Sequence, residues 1–339
     1  MIARWNKFWF EDPNPYNPLG LIRVLAVLFW GSRLEQHLEF MRTSADLPPG
    51  FIAKVIGHRI VPLPYPLPEA FCHPLKVVLY IALFGALLGL FTRACLAITS
   101  LGAIYLGAGF AAANLYDHHL LLTLYVLAIL TVAPGTTQLS LDALIKWWRA
   151  DNRPPVRELA SFTSGNTWGY KLILCVLATV YMTAGVSKLR YSGGHWLNGQ
   201  TLGYYLSRTD NEQEYLGPRG TDTPHIHEGR IDLVDHAYGW GARPAVRPYA
   251  TVTAFMALLS VATVALELMS PLLLAHPIAR ALYLLSAFMM HSSIDLSMDI
   301  GFFHYRVYAL CLVDWAWFAA AARRRLNWQA APTTADVAR

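Results

Sequence analysis

Charge is what this chain most conspicuously lacks. Only 14% of its 339 residues are Asp, Glu, Lys or Arg, where soluble domains carry about 25%. With 55% hydrophobic residues and a mean hydropathy of +0.34, that scarcity argues against an ordinary water-facing surface. Cysteine is scarce too. Cys72, Cys95, Cys175 and Cys311 stand in or beside apolar runs with no zinc-like spacing, and they read as small buried hydrophobes. They leave the redox compartment open. No cleaved signal peptide is expected, because Met1–Pro18 is aromatic, charged and proline-rich without an apolar core. There is no excess of positive charge that calls for nucleic acid: a net charge of +5 and a pI near 9.0 are met by lysines and arginines beside membrane segments. Neither an internal repeat nor a second domain is evident.

Long apolar runs are abundant. A spanning helix needs about 20 apolar residues, and the candidates are Leu19–Leu34, Leu75–Phe91, Ala94–Leu115, Leu120–Val132, Tyr170–Leu189, Tyr249–Ala275, Ala279–Met290 and Phe302–Ala321. The 11 Trp and 17 Tyr suit interfacial belts. The expected fold is all-α, a polytopic integral membrane bundle of about eight transmembrane helices. One membrane domain covers residues 1–325, interrupted by a polar extracytoplasmic loop at 208–248, and 326–339 reads as a disordered tail. Pro62–Pro68 reads as a stiff linker, and Leu139–Arg149 as an amphipathic interfacial helix.

Arg4 and Lys7 precede the first run, Lys146, Arg149, Arg153 and Arg157 follow the fourth, and Arg323-Arg324-Arg325 follow the eighth. The positive-inside rule makes that side cytoplasmic, together with both termini. Arg33, Asp117, His118, Lys188 and His291 then fall at helix ends near the outer leaflet. Titratable groups from several helices at one depth suggest a polar cavity. Helix ends are also where polar residues belong, and a lone Lys188 reads more simply as a snorkelling anchor.

Lys188 is not alone, however. Ala184-Gly185-Val186-Ser187-Lys188-Leu189 closes an apolar run, and Trp196, Gly199 and Tyr205-Leu206-Ser207-Arg208 follow. This string resembles the vitamin K-dependent gamma-glutamyl carboxylase superfamily, whose membrane part is called the horizontally transferred transmembrane (HTTM) domain. The resemblance runs from about Pro18 to Val313. Asn17-Pro18-Leu19-Gly20-Leu21 with Arg23 resembles the start of the family's first helix, and Gly89-Leu90-Phe91-Thr92-Arg93 its second-to-third hairpin. Asp117-His118-His119-Leu120-Leu121 resembles its N-H-x-x-L segment, with aspartate for asparagine, and His291 keeps the family's spacing to Ile300-Gly301-Phe302-Phe303.

The resemblance implies a catalytic base at Lys188, helped by His118, with Asp117, His118, His291 and Trp196 around the cofactor. It also implies reduced vitamin K or another lipid quinol, with O2 and CO2 as co-substrates. In the family a lysine deprotonates the quinol, oxygen turns it into a strong alkoxide base, and the resulting carbanion captures CO2. A lysine serves there only when an apolar setting favours its neutral form. Two departures stand out. Only the second of the family's paired lysines is present, as Ser187-Lys188, and three extra residues fall within Tyr191–His195. The sequence has no counterpart of the vertebrate luminal region that grips propeptides. The expected substrate is therefore a small molecule or short peptide, or one delivered by a partner protein, with membrane lipid around the bundle.

Other clusters carry bland and chemical readings side by side. His225, His227, Asp232 and His236 have metal-ligand character but no helix-spaced H-E-x-x-H, and a solvated loop or lid is the better reading of them. His291, Asp295 and Asp299 recur every four residues, as a relay or as a polar turn. Glu267 lies inside an apolar run, where a carboxylate needs a partner such as Arg23 or Arg93. Alongside the enzyme stand a noncatalytic maturation partner, like HTTM relatives in peptide-toxin production, and a small-solute transporter.

Overall fold

The computed structural model describes residues 6, 8–10, 16–44, 65–112, 118–152, 167–191, 196–199, 202, 253–298 and 302–329. Among them every regular element is helical: α1 (Leu19–Thr43), α2 (Glu69–Leu88), α3 (Thr92–Ala112), α4 (His118–Val132), α5 (Leu141–Arg149), α6 (Trp168–Tyr191), α7 (Thr253–Leu268), a short 3-10 turn (Ser270–Leu274), α8 (Pro277–Met298), α9 (Phe303–Leu312) and α10 (Trp315–Gln329). Helices suit such a chain because each satisfies its own backbone hydrogen bonds, which hydrocarbon cannot do. Three helical stretches are long and apolar enough to cross a membrane: Glu69–Leu88, Thr92–Phe110 and Trp168–Tyr191. Leu120–Val132 and Ala254–Leu268 are apolar but shorter. On α2, Val77, Val78, Ile81, Phe84 and Leu88 are exposed, a face that suits lipid better than water.

The chain forms two compact units, Met1–Val176 with Val307–Arg339, and Leu177–Arg306. In the first, α1 packs on α2, α3 and α4, with Trp30, Ile22 and Leu34 fully buried. Arg23 is buried among them. Its Nη1 donates to the Thr136 carbonyl at 3.2 Å and its Nη2 to that of Leu139 at 2.7 Å. It is thus a clamp for the turn after α4 rather than the partner of Glu267, and Arg93 is exposed at the start of α3. Gly89 ends α2 at φ +69°. A β-carbon there would stand 2.5 Å from Arg23 Nη1, so both conformation and space require glycine. Asp142, on α5, accepts from the backbone N–H groups of Phe91 and Thr92 at 3.0 and 2.8 Å and caps α3 from outside.

The apolar run Phe302–Ala321 is not one continuous span. It breaks at Val313-Asp314 into α9 and α10. The buried Asp314 carboxylate accepts from the Trp317 N–H at 2.9 Å, starting a new helix. Tyr16 and Tyr170 donate to the carbonyls of Cys311 and Leu312 at 3.0 and 2.7 Å, absorbing acceptors that the helix end leaves open. At the other end of the chain's apolar runs, α1 continues beyond Leu34 to Thr43, carrying Glu35, Glu39 and Arg42 on its extension.

Candidate functional site

The second unit holds the buried Glu267 and His291. α6 ends in Ser187-Lys188-Leu189, and α7 runs antiparallel in sequence sense toward Glu267 near its own end. Gly185 lets the two meet: a β-carbon there would stand 3.0 Å from Glu267 Cβ and 3.2 Å from Leu268. Just after α7, Ser270 donates to the Ala178 carbonyl at 2.8 Å, tying the 3-10 turn back to α6. The result is an ion pair between Lys188 Nζ and Glu267 Oε1. The lysine side chain is 19% exposed and the glutamate 6%, so the cation stands toward the outside and the carboxylate behind it.

Trp196 completes this corner. Its ring centroid lies 5.0 Å from Lys188 Nζ, in cation–π range. It is placed by a tight turn, Trp196–Gly199, in which Gly199 N–H donates to the Trp196 carbonyl at 3.2 Å. Gly199 takes φ +79° and presses on the α7 backbone, where a β-carbon would lie 2.6 Å from the Met256 carbonyl carbon. The spacing of Trp196 and Gly199 is therefore the spacing of one turn that needs a left-handed, side-chain-free residue.

Next to the pair lies an aromatic and imidazole cluster. Tyr181, two turns before Lys188 on the same face of α6, meets His291 Nε2 of α8 at 2.7 Å. With the phenol donating, Nε2 accepts and Nδ1 carries the ring proton. Phe302 and Tyr305 stack around the imidazole at centroid distances of 4.4 and 5.4 Å, and Tyr283 meets Tyr181 at 5.8 Å. His291 lies within electrostatic reach of Lys188 and Arg306, and Glu267 within reach of Tyr181 and Tyr283.

Three polar atoms in this cluster are buried without a hydrogen-bond partner: Glu267 Oε2, His291 Nδ1 and the Tyr283 hydroxyl. A buried polar group left unsatisfied costs about 1–3 kcal/mol, and three together mark a place where a polar ligand has groups to meet.

Of the residues singled out from the sequence, Lys188, Trp196 and His291 belong to this cluster. Asp295 shares the His291 face of α8 but is paired with Arg306, which gives it a structural role; Asp299 lies outside the described residues. His118 opens α4 in the first unit. Arg33, also in the first unit, donates to Gln36 on its own helix at 3.2 Å. Asp117, His225, His227, Asp232 and His236 lie outside the described residues, and among those described no group of three or more His, Cys, Asp or Glu could hold a metal ion. Tyr181 and Tyr283 carry no motif of their own in the sequence, and Glu267 stands there without an evident partner. A usable signal existed, since a carboxylate and an amine each stranded in an apolar run are natural partners. No family model, characterised protein or solved structure matches the chain.

Proposed function

We propose that this protein is a multi-pass membrane enzyme of the gamma-carboxylase type, coupling oxidation of a lipid quinol to modification of a carbon acid in a small molecule or peptide, with Lys188 as the base. The observation that supports it is the Lys188–Glu267 pair under Trp196, at the end of a helix long and apolar enough to span. About eight passes with both termini cytoplasmic would put this site toward the outer leaflet.

The residues present fit a quinol on two counts. Its ring suits the aromatic wall of Trp196, Phe302 and Tyr305, and its hydroxyls suit the partnerless Glu267 Oε2, His291 Nδ1 and Tyr283 hydroxyl. When bound, it would supply with O2 the strongly basic species that a protein side chain cannot, and CO2 would be the co-substrate. The chain's own groups have simpler tasks. Lys188, the more exposed member of its pair, would first pass its own proton to Glu267, then receive the hydroxyl proton and end as the ammonium beside the oxygen that loses it. His291, fixed by Tyr181, donates a hydrogen bond from Nδ1. Phe302 and Tyr305 pack against the His291 imidazole and would shield its hydrogen bond from water, which strengthens it. The substrate, or a partner protein that delivers it, would approach from the aqueous side.

The test is turnover with a reduced naphthoquinone under oxygen and labelled bicarbonate, scored for quinone epoxide and for carboxylated product. The wild type is expected to produce both, and Lys188→Ala neither. Mass spectrometry of lipid retained on anaerobic purification should show a quinone. Unchanged turnover in the alanine variant would remove the base role.

A further inference from the structure

The Lys188–Glu267 pair is lopsided in a way that neither partner explains alone. Glu267 is almost completely enclosed, yet binds through one oxygen only, and its Oε2 has no hydrogen-bond partner. Lys188 is the member that an incoming molecule can reach. An anion arriving at Lys188 would put two negative charges on one ammonium in an apolar setting, where like charges cannot both persist. The site regains neutrality if Glu267 is protonated. Oε2 can take that proton without breaking any existing hydrogen bond, and Oε1 keeps its contact with Lys188.

We infer that the Lys188–Glu267 pair is a proton-coupled site for an aromatic oxyanion, in which the ligand replaces Glu267 as the counter-ion of Lys188 and Glu267 becomes a neutral carboxylic acid. The balance is simple. When the ligand arrives as an anion, one proton is taken from solution and an Oε2–H bond forms. When it arrives as a neutral phenol, its O–H bond breaks, Lys188 passes one proton on to Glu267 and receives the ligand's, and Lys188 ends as the ammonium. In both cases the site with its ligand keeps the same net charge as the empty pair. The preference for an aromatic anion follows from Trp196 over Nζ and from the ring cluster, and the partnerless His291 Nδ1–H and Tyr283 hydroxyl are donors for its oxygens. The titratable groups facing the pair are Tyr181 from α6 and Tyr283 and His291 from α8, with Arg306 beyond His291. None of this requires quinol chemistry, so it stands or falls separately from the proposed reaction.

The probe is benzoate, an aromatic oxyanion that stays ionised between about pH 6 and pH 8. Titration calorimetry of the full chain in detergent, repeated in buffers of different ionisation enthalpy, gives both affinity and protons taken up. The wild type is expected to take up close to one proton, and its affinity to weaken about tenfold per pH unit across that range. Glu267→Gln should bind benzoate with no proton uptake and no pH slope, Glu267→Asp should restore both, and Lys188→Met should abolish binding. His291→Asn should leave the proton count unchanged. Failure of the wild type to bind benzoate, pH-independent wild-type binding, or proton uptake that survives in Glu267→Gln but is lost in His291→Asn would each overturn the inference. Should Glu267→Gln prove unfolded by size-exclusion, Glu267→Ala takes its place and proton uptake surviving in it would overturn the inference; should Lys188→Met prove unfolded, Lys188→Gln takes its place and undiminished benzoate binding would overturn it.

Discussion

Lys188 and Glu267 are each a liability alone and a structural asset together. Removing one partner of a buried pair typically costs about 3–5 kcal/mol because it strands the other charge, while replacing both with apolar residues is often neutral. Lys188 keeps some exposure, so the lower end applies. Lys188→Met and Glu267→Leu should each destabilise the protein by about 3 kcal/mol, and the double variant by clearly less than the sum. Thermal unfolding in detergent of the four proteins measures this cycle, and additive losses would deny the coupling. At this scale the sequence was half legible. The A-G-x-x-K-L string drew attention to Lys188, and burial in an apolar run made Glu267 conspicuous. Their pairing was not legible, because it depends on Gly185 admitting α7 at a distance no linear pattern encodes.

Among the elements, turns and caps carry the positional information. Gly199→Ala should cost more than the roughly 1 kcal/mol of a left-handed backbone alone, since its β-carbon also meets Met256 and Ala257. The expected signs are a lowered melting midpoint and a changed Trp196 environment, read by fluorescence against a Trp196→Phe control. Asp142 links two elements of the first unit and gives a pH signature. Burial pushes its carboxyl up, but hydrogen bonds from Thr92 and Phe91 outweigh this and hold it below the ordinary aspartate value. A lowered folded pKa contributes stability above the unfolded value, and that contribution is lost as pH falls through the folded one. Asp142→Asn should therefore cost about 1 kcal/mol at neutral pH, with the gap from wild type closing in acid. Helix existence was readable from the apolar runs, and α5 from its amphipathic pattern. The break between α9 and α10 was not, because hydropathy averages over Asp314 whereas its capping bond acts on one N–H.

For the whole molecule the open quantity is the number of membrane passes. At 1.5 Å per residue, the 10 residues of α9 and 15 of α10 make rods of about 15 and 22 Å, each shorter than a hydrocarbon core of about 30 Å. If they nevertheless cross together as a broken span, reporters fused at the N-terminus and after Arg339 should both read cytoplasmic. Opposite sides would reduce the proposed eight passes to an odd number.

Composition and run length by themselves determined that the chain is helical and suited to a membrane, because the cost of burying backbone and charge in hydrocarbon is summed residue by residue along the sequence. They also put Lys188 near the end of an apolar helix, whereas His291, read as a helix end, stands inside α8. Only the tertiary structure decided which charge meets which. It gave Lys188 to Glu267 and Arg23 to the carbonyls of Thr136 and Leu139, and left Glu267 Oε2, His291 Nδ1 and the Tyr283 hydroxyl without partners. Those outcomes rest on contacts between helices far apart in sequence, where a single missing β-carbon or a rise of one turn changes the partner. Periodicity carries no record of that.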